Sequence, residues 1–207
     1  MPLQLVIPPA EEPVSLAEAR LHLRVDFTDD DALITSLISA ARQAAETLTG
    51  RQFVTARWKL VLDRFPGACG SSDAAGQTFS LPGHAILLPK CPVQSVVAIE
   101  SLDMANTLQT MPPGEYTIDT ACEPARVTPV FGGLWPISLP QIGAVSVTFD
   151  AGYGDAASVP EGIKSWIKLR VGSLYAHREE VAVLARGRIE PLSFIDGLLD
   201  PYKVTTI

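Results

Sequence analysis

Three histidines, His22, His84 and His177, are the residues best suited to metal ligation or proton transfer, yet none stands in an H-E-x-x-H or similar ligand spacing. Ordinary surface or core histidines explain them. At His177-Arg178-Glu179-Glu180 an imidazole lies close in sequence to carboxylates, the pair that acid-base hydrolysis needs. A small hydrolase using His177 and Glu180 is therefore the enzymatic reading, set against a solvated charged helix end. Cys69, Cys91 and Cys122 are odd in number and form no C-x-x-C pair, which indicates neither a disulfide framework nor a zinc site and fits reduced thiols in a cytoplasm. Cys69 falls in a Gly/Ser-rich stretch, where a catalytic thiol is poorly positioned. No G-x-S-x-G elbow, Walker loop or G-x-G-x-x-G follows a strand-like run. Gly152-Tyr153-Gly154-Asp155 is glycine-rich but has no lysine behind it to hold phosphate, and reads as a turn. Lys164, Lys168 and Arg170 around Trp166 have the types of a nucleic-acid contact, which makes a DNA-packaging factor the second alternative. Only Lys164 and Lys168 share a helical face, so a solvated flank beside a core tryptophan is the favoured account of them. The residues imply no catalytic site, no cofactor and no metal.

The elements that position these residues come from a chain of 207 residues, 47% hydrophobic and 19% charged, the balance of a globular protein. Sixteen Lys plus Arg against 23 Asp plus Glu give a net charge of -7, which disfavours a surface built to grip phosphate. No apolar run approaches the ~20 residues of a membrane-spanning helix. The stretch from Met1 to Ala10 has no basic residue ahead of its apolar part and runs into Pro8-Pro9, so it is not expected to be a signal peptide.

Ser15-Leu16-Ala17-Glu18 has the S-x-x-E form of a capping box and predicts a short helix over Leu16 to Leu23. Thr28, followed by Asp29, Asp30 and Asp31, predicts the start of a second helix ending at Gly50. Its apolar stripe holds Leu33, Leu37, Ala40, Ala44 and Leu48, with Ile34, Ile38, Ala41 and Ala45 beside them. Such a stripe needs a larger partner than the first helix. Pro160 opens a third helix through about His177, with Ile163, Trp166, Ile167, Val171 and Leu174 at helical spacing. The middle of the chain reads as antiparallel strands at Phe53 to Leu62, Ala85 to Leu88, Val93 to Ser101, Tyr116 to Asp119, Arg126 to Pro129 and Ala144 to Asp150. The fold class is α+β: a helical core, two N-terminal helices plus a long C-terminal one, with an inserted antiparallel β region.

The order of Ser15-Leu16-Ala17-Glu18-Ala19, Asp29-Asp30-Asp31-Ala32-Leu33-Ile34 and Arg51-Gln52-Phe53 resembles the start of the head-tail connector (head-completion adaptor) proteins of tailed bacteriophages. So do Leu88-Pro89-Lys90-Cys91-Pro92-Val93, Glu115-Tyr116, and Val147-Thr148-Phe149-Asp150-Ala151-Gly152-Tyr153-Gly154 leading into Val159-Pro160. The resemblance implies a structural phage or prophage protein, not an enzyme, that forms a homo-oligomeric ring between portal and tail, closes the DNA-filled head and seats the tail. Its implied partners are other copies of itself, the portal protein and tail or stopper proteins, with no membrane. DNA passes through the channel without specific binding, as an acidic chain favours. The implied location is the host cytoplasm during assembly and then the head-tail junction of the virion.

On this reading, residues 1-50 and 160-188 form the helical core and residues 51-159 the inserted β-rich region. Residues 189-207 form a docking segment. Leu33, Leu37, Leu48, Ile163, Ile167 and Leu174 are expected in the helix-core packing. Leu192, Phe194, Ile195, Leu198 and Leu199 offer more apolar surface than a chain end normally exposes, and are expected to dock on a neighbour.

Overall fold

Ser15 and Glu18 form the expected box: the Ser15 hydroxyl accepts from the Glu18 amide at 3.2 Å, and the Glu18 carboxylate accepts from the Ser15 amide at 2.8 Å. In the computed structural model, which describes residues 3–67, 84–176 and 197–204, this box starts helix α1, Leu16–Leu23. The Ser15 backbone and side-chain hydrogen bonds hold the Glu18 carboxyl below its ordinary pKa, helped by Lys168 and Lys164. Helix α2 spans Asp31–Thr49 with Asp30 as its cap. It starts later than Thr28 because the Thr28 carbonyl accepts from the Asp31 amide in a preceding turn. Gly50, at φ 72°, ends it in the left-handed conformation that glycine adopts without strain. Helix α3 spans Glu161–Ala176. Pro160 stands just before it, and its carbonyl accepts from the Ile163 and Lys164 amides.

The described residues fall into two compact units. The helical unit takes residues 9–54 and the described part of 153–203. Within it α2 packs on α3, and α1 packs on both. Ile34, Ile38, Ala41 and Ala45 of α2 are buried with Ile163, Trp166, Ile167 and Val171 of α3, around Val14, Ala19, Phe53, Val54 and Leu199. The buried stripe of α2 is thus rotated from the one expected. Leu33 (36% exposed) and Leu48 (51%) face solvent, while Leu37 and Leu174 are half-buried at the margin. Small Ala41 and Ala45 at the centre permit the close helix approach that leucines there would block.

A buried polar cluster, which periodicity gives no means to find, ties α2 to the chain that follows it. Arg42 Nε donates to Glu12 at 2.7 Å, and its terminal nitrogen donates to Glu46 Oε2 at 2.8 Å. Glu46 Oε1 accepts from Gln52 Nε2 at 2.7 Å and from the Phe53 amide at 3.3 Å. Burial opposes the Arg42 charge, but the hydrogen bonds and charges of Glu12 and Glu46 outweigh it and hold the guanidinium more firmly protonated than usual.

The β unit takes residues 3–8, the described part of 55–152, and residue 204. Its strands are β1 (Leu3–Ile7), β2 (Ala56–Leu62), β3 (Ile86–Leu88), β4 (Val93–Leu102), β5 (Leu108–Thr110), β6 (Tyr116–Asp119), β7 (Ala125–Pro129) and β8 (Val145–Ala151). One antiparallel sheet runs β1-β2-β8-β4-β5, the other β3-β7-β6. Leu60, Val147, Phe149 and Ile99 from the first sheet share a core with Ile86, Leu88, Ala125 and Val127 from the second. Alternation along β2 and β8 sends Arg57, Lys59, Ser146 and Asp150 to the opposite face.

The expected limits of the β region therefore shift at both ends. Phe53 and Val54 leave the strand that was expected to begin there and join the helical core, and Tyr153 to Pro160 also belong to the helical unit. Leu3–Ile7, to which the sequence reading assigned no element, is an edge strand paired with β2. Of the proposed docking segment, residues 197–203 lie in the helical unit, and most of the rest lies outside the described residues.

Candidate assembly surfaces

The residues with catalytic potential are only partly among the described ones. His22 and His84 are exposed and belong to different units; His177 and Glu180, the pair of the hydrolase reading, lie outside the described residues, as does Cys69. Cys91 is buried and Cys122 half-buried. Among the described residues no group of three His, Cys, Asp or Glu side chains is placed to hold a metal ion, and no helix is long and apolar enough to cross a membrane. Trp166 is a core residue. Lys164 departs from the solvated flank expected of it: it is 8% exposed and its ammonium lies 3.2 Å from the Glu161 carboxylate. Lys168 is half-buried and Arg170 exposed, so the three cations do not present one open basic face.

The expected docking residues divide differently. Leu199 is 1% exposed and sits in the helical core, with Leu198 packed against that core. Leu199 is an internal packing residue, which corrects its assignment as a docking residue, while Leu198 is half-buried beside it. Asp200 and Tyr202 help to explain this: the Tyr202 amide donates to the Leu199 carbonyl, and the Arg51 guanidinium donates to the Tyr202 carbonyl, folding the segment back on its own unit. Leu192, Phe194 and Ile195 lie outside the described residues.

The large apolar exposure lies elsewhere, on the connection between β7 and β8. Phe131 is fully exposed, and Leu134 (90%), Ile137 (79%) and Ile142 (92%) nearly so. This connection is anchored along its length. Trp135 is buried and stacked on Phe65, ring centroids 4.8 Å apart, and its indole N–H donates to the His84 carbonyl at 2.6 Å. The Leu139 amide donates to the Leu102 carbonyl at 2.8 Å, and the Gly143 amide to Asp63 Oδ1 at 2.9 Å. Water-facing leucines and isoleucines on a tethered loop mark an interaction surface more strongly than scattered apolar residues do. Sequence reading missed it because Pro, Gly and Ser punctuate the stretch as a loop; its apolar content was the available signal.

The polar face of the five-stranded sheet is laced with ion pairs. Arg57 holds Asp150 through two bonds of 2.7 and 2.9 Å, and Lys59 lies 3.7 Å from Glu100. Beside the latter pair is a shallow cavity of about 290 Å³ whose walls include Val61, Leu102, Leu108 and Gly143.

The described residues thus combine an α+β fold with a connection between β7 and β8 that holds large apolar side chains in the open. Residues 13–85, about a third of the chain, match the model of the phage gp6-like head-tail connector protein family, the class that the sequence resembles. Solved structures agree on the fold. One chain from the neck of an empty gene transfer agent (GTA) particle computed with C6 symmetry has a TM-score of 0.75 at 22% identity, covering 100% of this chain and 97% of that one. Another from the virion of a native GTA particle has a TM-score of 0.75 at 21% identity with the same coverage. A third, from the neck of the native particle computed with C12 symmetry, has a TM-score of 0.71 at 21% identity. No curated protein matches the chain. The neighbours share the fold over the whole chain, and the family match covers residues 13–85 of it.

Proposed function

We propose that this protein is a non-enzymatic connector that joins the DNA-filled head of a phage-like particle to its tail, working as a ring of identical copies at the head-tail junction. The observation that carries the reading is the coincidence of a connector-family match over residues 13–85 with a full-length fold likeness to particle-neck chains. The ring is assembled in the host cytoplasm, sits on the portal protein and receives tail or stopper proteins. A net charge of -7 suits a channel through which DNA slides without being held.

The test is removal of the chain from particle assembly. DNA-filled heads should accumulate without tails, and supplying the intact chain in trans should restore joining. Normally tailed particles formed in its absence would overturn the reading.

A further inference from the structure

We propose that the loop between β7 and β8 is one half of the contact between neighbouring copies of this chain, seating in the cavity beside Lys59 and Glu100 on the next copy. The proposal rests on the ring reading above. A closed ring of more than two copies uses a head-to-tail contact, so each copy must carry two different, complementary patches. The β unit carries such a pair: a loop that exposes the apolar side chains of Phe131 and Leu134, and a concave site with Val61, Leu102 and Leu108 in its walls.

Charge points to a second copy as the occupant. From Val127 to Phe149 the sequence holds no Asp, Glu, Lys, Arg or His, in a chain whose net charge is -7. Two like-charged copies repel wherever their acidic surfaces approach, and an uncharged loop brings no charge of its own to the contact. The receiving site suits it. Its charges, Lys59 and Glu100, already face one another at 3.7 Å, so covering them leaves neither without a counter-charge. The loop is also prepared for binding: Trp135 and the bonds of Leu139 and Gly143 restrain it before contact, which reduces the ordering cost of association.

The experiment places a photoreactive p-benzoylphenylalanine at position 131 of the full chain and irradiates assembled particles, with adducts mapped by mass spectrometry. Expected are covalent dimers of this chain joined from position 131 to Val61, Leu102 or Leu108. A companion variant, Phe131→Asp with Leu134→Asp, should keep the wild-type circular dichroism and melting curve, because both side chains are exposed, while losing ring formation. If the labelled chain enters tailed particles but its adducts join a different protein, or a different surface of the same chain, the proposed contact is wrong and the connector reading stands. If the unmodified chain is absent from particles, the connector reading itself fails, and this contact with it.

Discussion

Arg42→Ala should destabilise the helical unit by about 3–5 kcal/mol, the cost of removing one partner from a buried ion pair. Arg42 and Glu46 are 8% and 6% exposed. Without the guanidinium, Glu46 keeps its bonds from Gln52 and the Phe53 amide but loses its counter-charge, and Glu12 loses its partner. Glu46→Ala should cost less, because Arg42 keeps its bond to Glu12 and the Gln52 amide keeps its bond to the Val54 carbonyl. The double variant should cost much less than the sum of the two singles, since neither charge is then left alone. Denaturant unfolding of the four proteins checks this. Additive losses, or an Arg42→Ala loss below about 1 kcal/mol, would show that water already reaches the cluster.

Phe149→Ala should remove about 3–5 kcal/mol from the β unit, as expected for emptying a well-packed aromatic site. Phe149 is fully buried on β8, where it pairs in register with Trp58 on one side and Val96 on the other. The neighbouring strands are fixed by their ladders and cannot collapse far into the cavity. In contrast, Leu48→Ala should stay within about 0.5 kcal/mol of the parent because that side chain faces solvent. Leu37→Ala should cost less than Ile38→Ala for the same reason, Leu37 being only half-buried. Equal losses at Phe149 and Leu48 would contradict the burial pattern.

Where a local rule has a single solution, the sequence was a reliable guide. Ser15 and Glu18 meet as their spacing demands, Gly50 ends α2, and Ile163 and Ile167 lie in the helical core. The alternation along β2 separates Leu60 from Lys59 on opposite faces. The phase of the α2 stripe was harder. Apolar residues flank one another around most of that helix, and only the approach of α3 decides that Ile34 and Ile38, rather than Leu33 and Leu48, are covered.

Features set by distant partners were not legible. Leu3–Ile7 leaves Leu5, Val6 and Ile7 half-exposed, so it lacks the alternation of an inner strand, and it becomes a strand only by pairing with β2, more than fifty residues away. Leu199 carries no local sign that Arg51 and Tyr202 fold its segment back onto the helices. Arg42 and Glu46 stand at i,i+4 spacing, which does not by itself tell a surface pair from a buried one; Glu12 and Gln52 complete the buried cluster. The apolar surface available for docking was therefore sought at the chain end, whereas the described exposure is concentrated at Phe131, Leu134, Ile137 and Ile142.

Electron cryomicroscopy of the intact particle, reconstructed at its neck, tests the connector role most directly. The expected map holds a ring of copies of this chain around the DNA channel, between portal and tail, with both the helical and the β unit accounted for in each copy. Particles whose neck contains no density for this fold, or in which the chain is found only away from the head-tail junction, would contradict that role.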